Sequence, residues 1–194
     1  MSSESGLVPR EEAFKLLKQY LRNERMVKHC LAVEAIMRAL ARRLGEDEEL
    51  WGLVGLLHDI DYEVVGKDLS KHGLVGANEI LKGKLPQHAL EAIAGHNELT
   101  GVKPSTPEAE KLLHALRAAD HMSGLIIATA LVMPSKKLAE VKPKSVKKKF
   151  KSKDFARGVS RDRIREVENL GINLSEFIAL SLEALKQVAG DLGL

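Results

Sequence analysis

The sequence carries a His-Asp pair, His58-Asp59, at the end of the apolar run Leu50-Trp51-Gly52-Leu53-Val54-Gly55-Leu56-Leu57. The run reads as a helix whose C-terminal end delivers an imidazole and a carboxylate into the interior. An ionised carboxylate is costly to bury unless something compensates its charge. A metal ion does so, and neutral imidazole and carboxylate are both ordinary ligands. The dipeptide alone is a weak signal, because such pairs arise by chance. Two more residues share its character: His29, on the apolar stripe of a long helix, and Asp120, on the core side of another. His29, His58, Asp59 and Asp120 offer two nitrogens and two carboxylates, a set that suits divalent manganese, iron, nickel, zinc or magnesium. Each residue taken singly has a plainer explanation. A lone His on an apolar face is commonly a hydrogen-bonded core residue, and a lone Asp near a helix end is a cap. Polar sites on three helices that all point inward need a common explanation.

Helices must hold these groups, and the chain reads as nearly all helix. Sustained period-2 alternation is absent. Residues 10–22 form a first helix with Phe14, Leu17 and Leu21 on one face. Residues 24–44 form a second, whose stripe of Val33, Ile36, Met37, Leu40 and Leu44 includes His29 one turn earlier; Gly45 ends it. Residues 47–59 form the third, with acids in its first turn. After a loop at 60–70, helices are expected at 72–82 and 86–97. Ser105-Thr106-Pro107-Glu108 then starts a helix that runs to about Met133 and carries Asp120. Short helices or loop follow over 135–153. Helices at 161–170, capped by Ser160, and 174–189 close the chain. The expected organisation is a core of residues 10–133 with residues 134–194 packed on it. Residues 1–6 read as an irregular tail.

The order His29, then His58-Asp59, then Asp120 resembles the HD superfamily of metal-dependent phosphohydrolases. The contexts agree as well: His29-Cys30-Leu31-Ala32-Val33, Leu56-Leu57-His58-Asp59-Ile60 and Leu116-Arg117-Ala118-Ala119-Asp120. The resemblance covers about residues 24–133. It implies an all-α helical bundle of the HD-domain type, here with extra C-terminal helices, built around a metal. It also implies hydrolysis of a phosphoester or phosphoanhydride, most often in a nucleotide. Dinuclear members place further His ligands in the stretches around His72 and His96, so these two are candidates for a second ion bridged by Asp59. Where a subgroup that cleaves cyclic dinucleotides has Gly-Lys after the His-Asp-Ile stretch, this chain has Asp61-Tyr62. Where that subgroup has a His-His pair, it has His96-Asn97. Both departures argue against the subgroup.

In such chemistry a divalent ion lowers the pKa of bound water and polarises a phosphoryl oxygen. Asp59 holds the ion and orients the water, and cations meet the phosphoryl charge. Arg117, three residues before Asp120 on the ligand face, is the leading candidate for that role, or else a partner of Asp59 or Glu79. Lys71 is a second candidate, with Lys67 and Lys103. His114 and His121 are read as packing or surface residues. Cys30 and His29 fall on different helix faces, so no Cys-His dyad is expected. Two other classes stay open: a nucleotide-binding or sensing protein without turnover, and a di-iron oxygenase on the same fold.

The single cysteine rules out an internal disulfide and points to the cytoplasm. No apolar run is long enough to span a bilayer, and no signal-peptide pattern opens the chain. Net charge is +3, but residues 136–153 hold nine Lys against one acid, Glu140. With Phe150 as its sole aromatic, this segment offers little for base stacking, so a small phosphate-bearing substrate is preferred over nucleic acid. Oligomeric state has no sequence signal.

Overall fold

A computed structural model describes residues 6–194; of the expected tail, residues 1–5 lie outside the described range. All regular structure among the described residues is helical. The ten α-helices are α1 (Arg10–Tyr20), α2 (Glu24–Leu44), α3 (Glu48–Leu57), α4 (Tyr62–Val65) and α5 (Gln87–Gly95), then α6 (Pro107–Leu131), α7 (Pro143–Lys151), α8 (Arg161–Arg165), α9 (Leu174–Gln187) and α10 (Ala189–Leu192).

The long helices start and stop where their capping residues dictate. Asn23 Oδ1 accepts from Arg25 N and Met26 N at the start of α2, and Gly45 closes that helix in the left-handed conformation (φ 71°). Asp47 caps α3, and Thr106 caps α6 with Pro107 in the first turn. Four regions differ from expectation. The loop at 60–70 contains α4 and a 3-10 turn, Leu69–Lys71. The helix expected at 72–82 is a single turn that widens into a π turn, Gly76–Ile80. The cause is local: Asp61 Oδ2 takes the N–H groups of Gly73 and Gly76, fixing how the chain enters the turn. The helix at 161–170 splits into α8 and a 3-10 turn, Glu166–Leu170. The expected run 174–189 becomes α9 and α10.

α2, α3 and α6 form the centre. α2 and α3 pack very closely because Gly55 faces the backbone of α2. A Cβ there would stand 2.9 Å from Glu34 Cα and N and from Val33 O. Glu34 itself is buried, and its charge is met by Arg10 (2.8 and 2.9 Å) and Arg38 (3.1 Å). α5 lies on α6, α9 lies on α2, and α7 and α8 pack against α6. Residues from Ala13 to Leu192 share one apolar core, including Val146 and Phe150 of α7 and Phe177 of α9. No helix among the described residues is long and apolar enough to cross a membrane.

The close approach of α2 and α3 has a measurable consequence. Gly55→Ala should lower stability by about 1–3 kcal/mol, since backbone must move to admit the methyl group. Gly158→Ala, at a position with nothing within 4 Å, should change stability by less than about 0.5 kcal/mol. Denaturant melts of both variants check this, and a Gly55→Ala variant as stable as its parent would contradict the packing.

Candidate metal centre

His58 follows α3 directly and keeps helical dihedrals (φ −59°, ψ −33°). Its ring is fully buried. Nδ1 lies 2.8 Å from Gly55 O, an acceptor, so Nδ1 carries a proton and Nε2 is the nitrogen turned toward the cluster. That Nε2 has no hydrogen-bond partner. Asp59 comes next, 6% exposed. Its two oxygens face different histidines. Oδ2 lies 3.3 Å from His58 Nε2 and 3.4 Å from His29 Nε2. Oδ1 lies 3.0 Å from His72 Nε2 and 3.4 Å from His96 Nε2. Asp120 Oδ1, from α6, is 3.1 Å from His29 Nε2.

All four rings turn Nε2 toward Asp59 because each Nδ1 is engaged elsewhere. His96 Nδ1 donates to Ile93 O (2.6 Å) at the end of α5. His72 Nδ1 meets Asp61 Oδ1 (2.8 Å). Ser123 Oγ, which donates to Asp120 O, stands 3.4 Å from His29 Nδ1. Gly73, at φ +92°, lets the His72 turn lie against α5, where a Cβ would meet Ile93 O at 2.8 Å. The potential ligand atoms fall into two groups that meet at Asp59. His29, His58 and Asp120 form one, and His72 and His96 with Asp59 form the other; the atoms within each lie within 4.8 Å of one another.

Burial disfavours charge on Asp59, Asp120, His58 and His72, yet the attraction of their neighbours overrides it. Asp59 sits well below the usual carboxylate range because His58, His72 and His96 surround it. Against burial, His29 and then His58 hold Asp120 at about 2. Burial would keep His58 neutral, but Asp59 and Asp120 lift it to about 9. His72 rises against burial to about 10 beside Asp59 and Asp61. Protons on imidazole thus balance the carboxylates. A dication in each group would do the same, and would also satisfy the orphaned His58 Nε2. Nitrogen and carboxylate donors at this density fit divalent ions. Cys30 also lies beside His58 and Asp59, but burial, and then Asp59, push its thiol well up. It is a neutral packing group here.

The expected ligands His29, His58, Asp59, Asp120, His72 and His96 are therefore brought together, and the expected phosphate contacts are not. Arg117 pairs with neither Asp59 nor Glu79. Its guanidinium donates to Gly95 O (2.6 Å) and lies 3.8 Å from Glu166. It clamps the end of α5 next to His96. Lys71 is largely exposed and pairs with Asp68 at 3.0 Å, and Lys67 and Lys103 are exposed. His114 bonds Glu166 (2.7 Å), and His121 Nδ1 accepts from Ser160 N (3.1 Å). Asp61 is the residue that sequence reasoning missed. It is fully buried and orients His72. A ligating His needs a partner for its second nitrogen, and that requirement could have flagged it.

A family model for the HD domain matches residues 26–125, just over half of the chain. The sequence is also similar to Ribonuclease Y of Oleidesulfovibrio alaskensis (strain ATCC BAA-1058 / DSM 17464 / G20), 30% identical over 106 residues. The aligned stretch covers 53% of this chain and 18% of that protein's length. No solved structure matches it. The matched family stretch contains every one of the six clustered His and Asp residues, and the chain belongs to the HD domain family, the superfamily its His and His-Asp pattern resembles.

Proposed function

We propose that this chain is a metal-dependent phosphohydrolase that cleaves a phosphoester or phosphoanhydride of a nucleotide. His29, His58, Asp59 and Asp120 hold one divalent ion, and Asp59, His72 and His96 hold a second. The observation that carries the reading is the Asp59 carboxylate, whose two oxygens face two separate sets of imidazole nitrogens. Bound divalent ions supply an acidified water and polarise phosphoryl oxygens. The chain's own residues do the rest. Asp59 spans both groups and orients what lies between them. Gly55, Ile93 and Asp61 fix three of the rings so that Nε2 faces the reacting position. Asp120 and His29 are the more open members, with side chains 26% and 21% exposed, so substrate enters from their side. Arg117 acts as a positioning residue through the α5 terminus. Lys71 reaches a phosphate only by leaving Asp68. The name of the relative, Ribonuclease Y, describes phosphodiester cleavage and fits the same reaction class. The buried free thiol of Cys30 suits a reducing cytoplasm.

Purified protein, assayed for phosphate release against nucleoside mono-, di- and triphosphates and dinucleotides with several divalent ions, tests the activity. Binding without release would favour a sensor, and oxygen consumption with bound iron would favour an oxygenase. Metal analysis tests the ligand sets. Asp59→Ala should lose both ions, whereas His96→Ala should lose one and retain the other. Loss of neither ion in Asp59→Ala would sink the assignment. Asp61→Asn should weaken the His72 site by about 10–100-fold while leaving the His29 site intact, because the carboxylate that orients His72 is gone. Equal weakening at both sites would contradict that role.

A further inference from the structure

The basic segment folds into a surface that the metal centre does not use. α7 buries Val146 and Phe150 against the core and turns Lys144, Lys147, Lys148 and Lys151 outward. Lys153 and Arg157 continue the row on the turn after α7. Lys147, Lys151, Lys153 and Arg157 line a cleft of about 560 Å³, in which Asp162 is the sole acid. Among the described residues, Lys15, Lys71, Lys111 and Lys186 are the lysines that pair with carboxylates. None of the nine in 136–153 does. Lys147 donates to Ser175 Oγ (3.0 Å), but no carboxylate neutralises the helix, and so much unbalanced positive charge on one face suits an external polyanion.

The shape of the cleft is rigid. Arg161 donates to the carbonyls of Lys149, Phe150, Ser152, Phe155, Ala156 and Val159, and so winds the turn around itself. The cleft also has a direction. Val159 in its wall packs on Gly124 of α6, where a Cβ would stand 3.2 Å from Val159 Cγ2. Gly124 lines a second cavity, about 550 Å³, which reaches the cluster at His29. Phe150 is buried and Phe155 is covered by Lys149 Nζ at 4.4 Å from its ring centroid, so neither is a free stacking platform.

We infer that the α7 cleft binds the phosphate backbone of a single-stranded nucleic acid and leads it across Gly124 toward the metal centre. Contacts are to phosphates, so binding is independent of base sequence and nearly equal for RNA and DNA. A concave, channelled surface with its apolar residues turned inward suits a strand better than a flat lipid surface. The inference rests on the phosphohydrolase reading only for what happens at the strand's end.

Anisotropy of a labelled single-stranded oligonucleotide of about a dozen nucleotides, in chelator across a salt series, tests it without turnover. The RNA and DNA forms of one sequence should bind within a few-fold of each other. K147E/K151E/K153E, which reverses three cations of the cleft wall, should bind at least about tenfold more weakly and flatten the log–log salt slope by about two. K147R/K151R/K153R should keep wild-type affinity. Cleavage of a small chromogenic phosphodiester by the charge-reversed variant should stay at the parent rate, so failure of binding and failure of the phosphohydrolase reading are read separately. Unchanged affinity in the charge-reversed variant would overturn the inference. So would binding insensitive to salt, or capture by phosphatidylserine vesicles with no capture of the oligonucleotide.

Discussion

A single buried carboxylate sets the terms for the rest of the molecule. Asp59 stays ionised although almost no solvent reaches it, and four imidazoles surround it. Those rings come from α2, from the end of α3, from the His72 turn and from the end of α5. Holding them at about 3 Å demands unusual closeness between the elements. Gly55 supplies it between α2 and α3, and Gly73 supplies it between the His72 turn and α5. Hydrophobic burial makes such a bundle stable, but it tolerates slippage of a fraction of an ångström. A charged cluster does not, since an unmatched carboxylate in this interior is costly.

The parts of this arrangement visible in the sequence are the periodic ones. Apolar spacing and caps placed α1, α2, α3, α6 and α9 within a few residues of where they lie. His29 and Asp120 were legible because a polar residue on an apolar stripe stands out. Asp61 was not. In sequence it reads only as the residue where a related pattern has another, and two of its three partners, Gly73 and Gly76, are backbone groups that no side-chain pattern records. The π turn at Gly76–Ile80 escaped for the same reason. Arg117 shows a different limit. Its spacing from Asp120 correctly places it on one helix face, but the guanidinium reaches past the cluster to Gly95 O. Periodicity gives a direction and says little about reach.

α6 joins the two halves of the chain's chemistry. One face carries Asp120 beside His29, and Arg117 holds the α5 terminus. His121 takes the N–H of Ser160, and Gly124 admits Val159. Within eight residues the helix contributes to the centre, braces it, and anchors the turn that follows the basic segment. The C-terminal helices are therefore tied to the same rod as the ligands.

Arg161 gives the basic surface an uneven tolerance to sequence drift. Each exposed lysine of α7 adds one screened charge to a sum, and a neighbour can replace it with little loss. Arg161 has no such substitute. Its planar fork spreads five N–H donors over six carbonyls, which a lysine's three protons cannot match. Over generations the lysines are free to trade places along the helix, while the cation that ties the turn together is held to its identity.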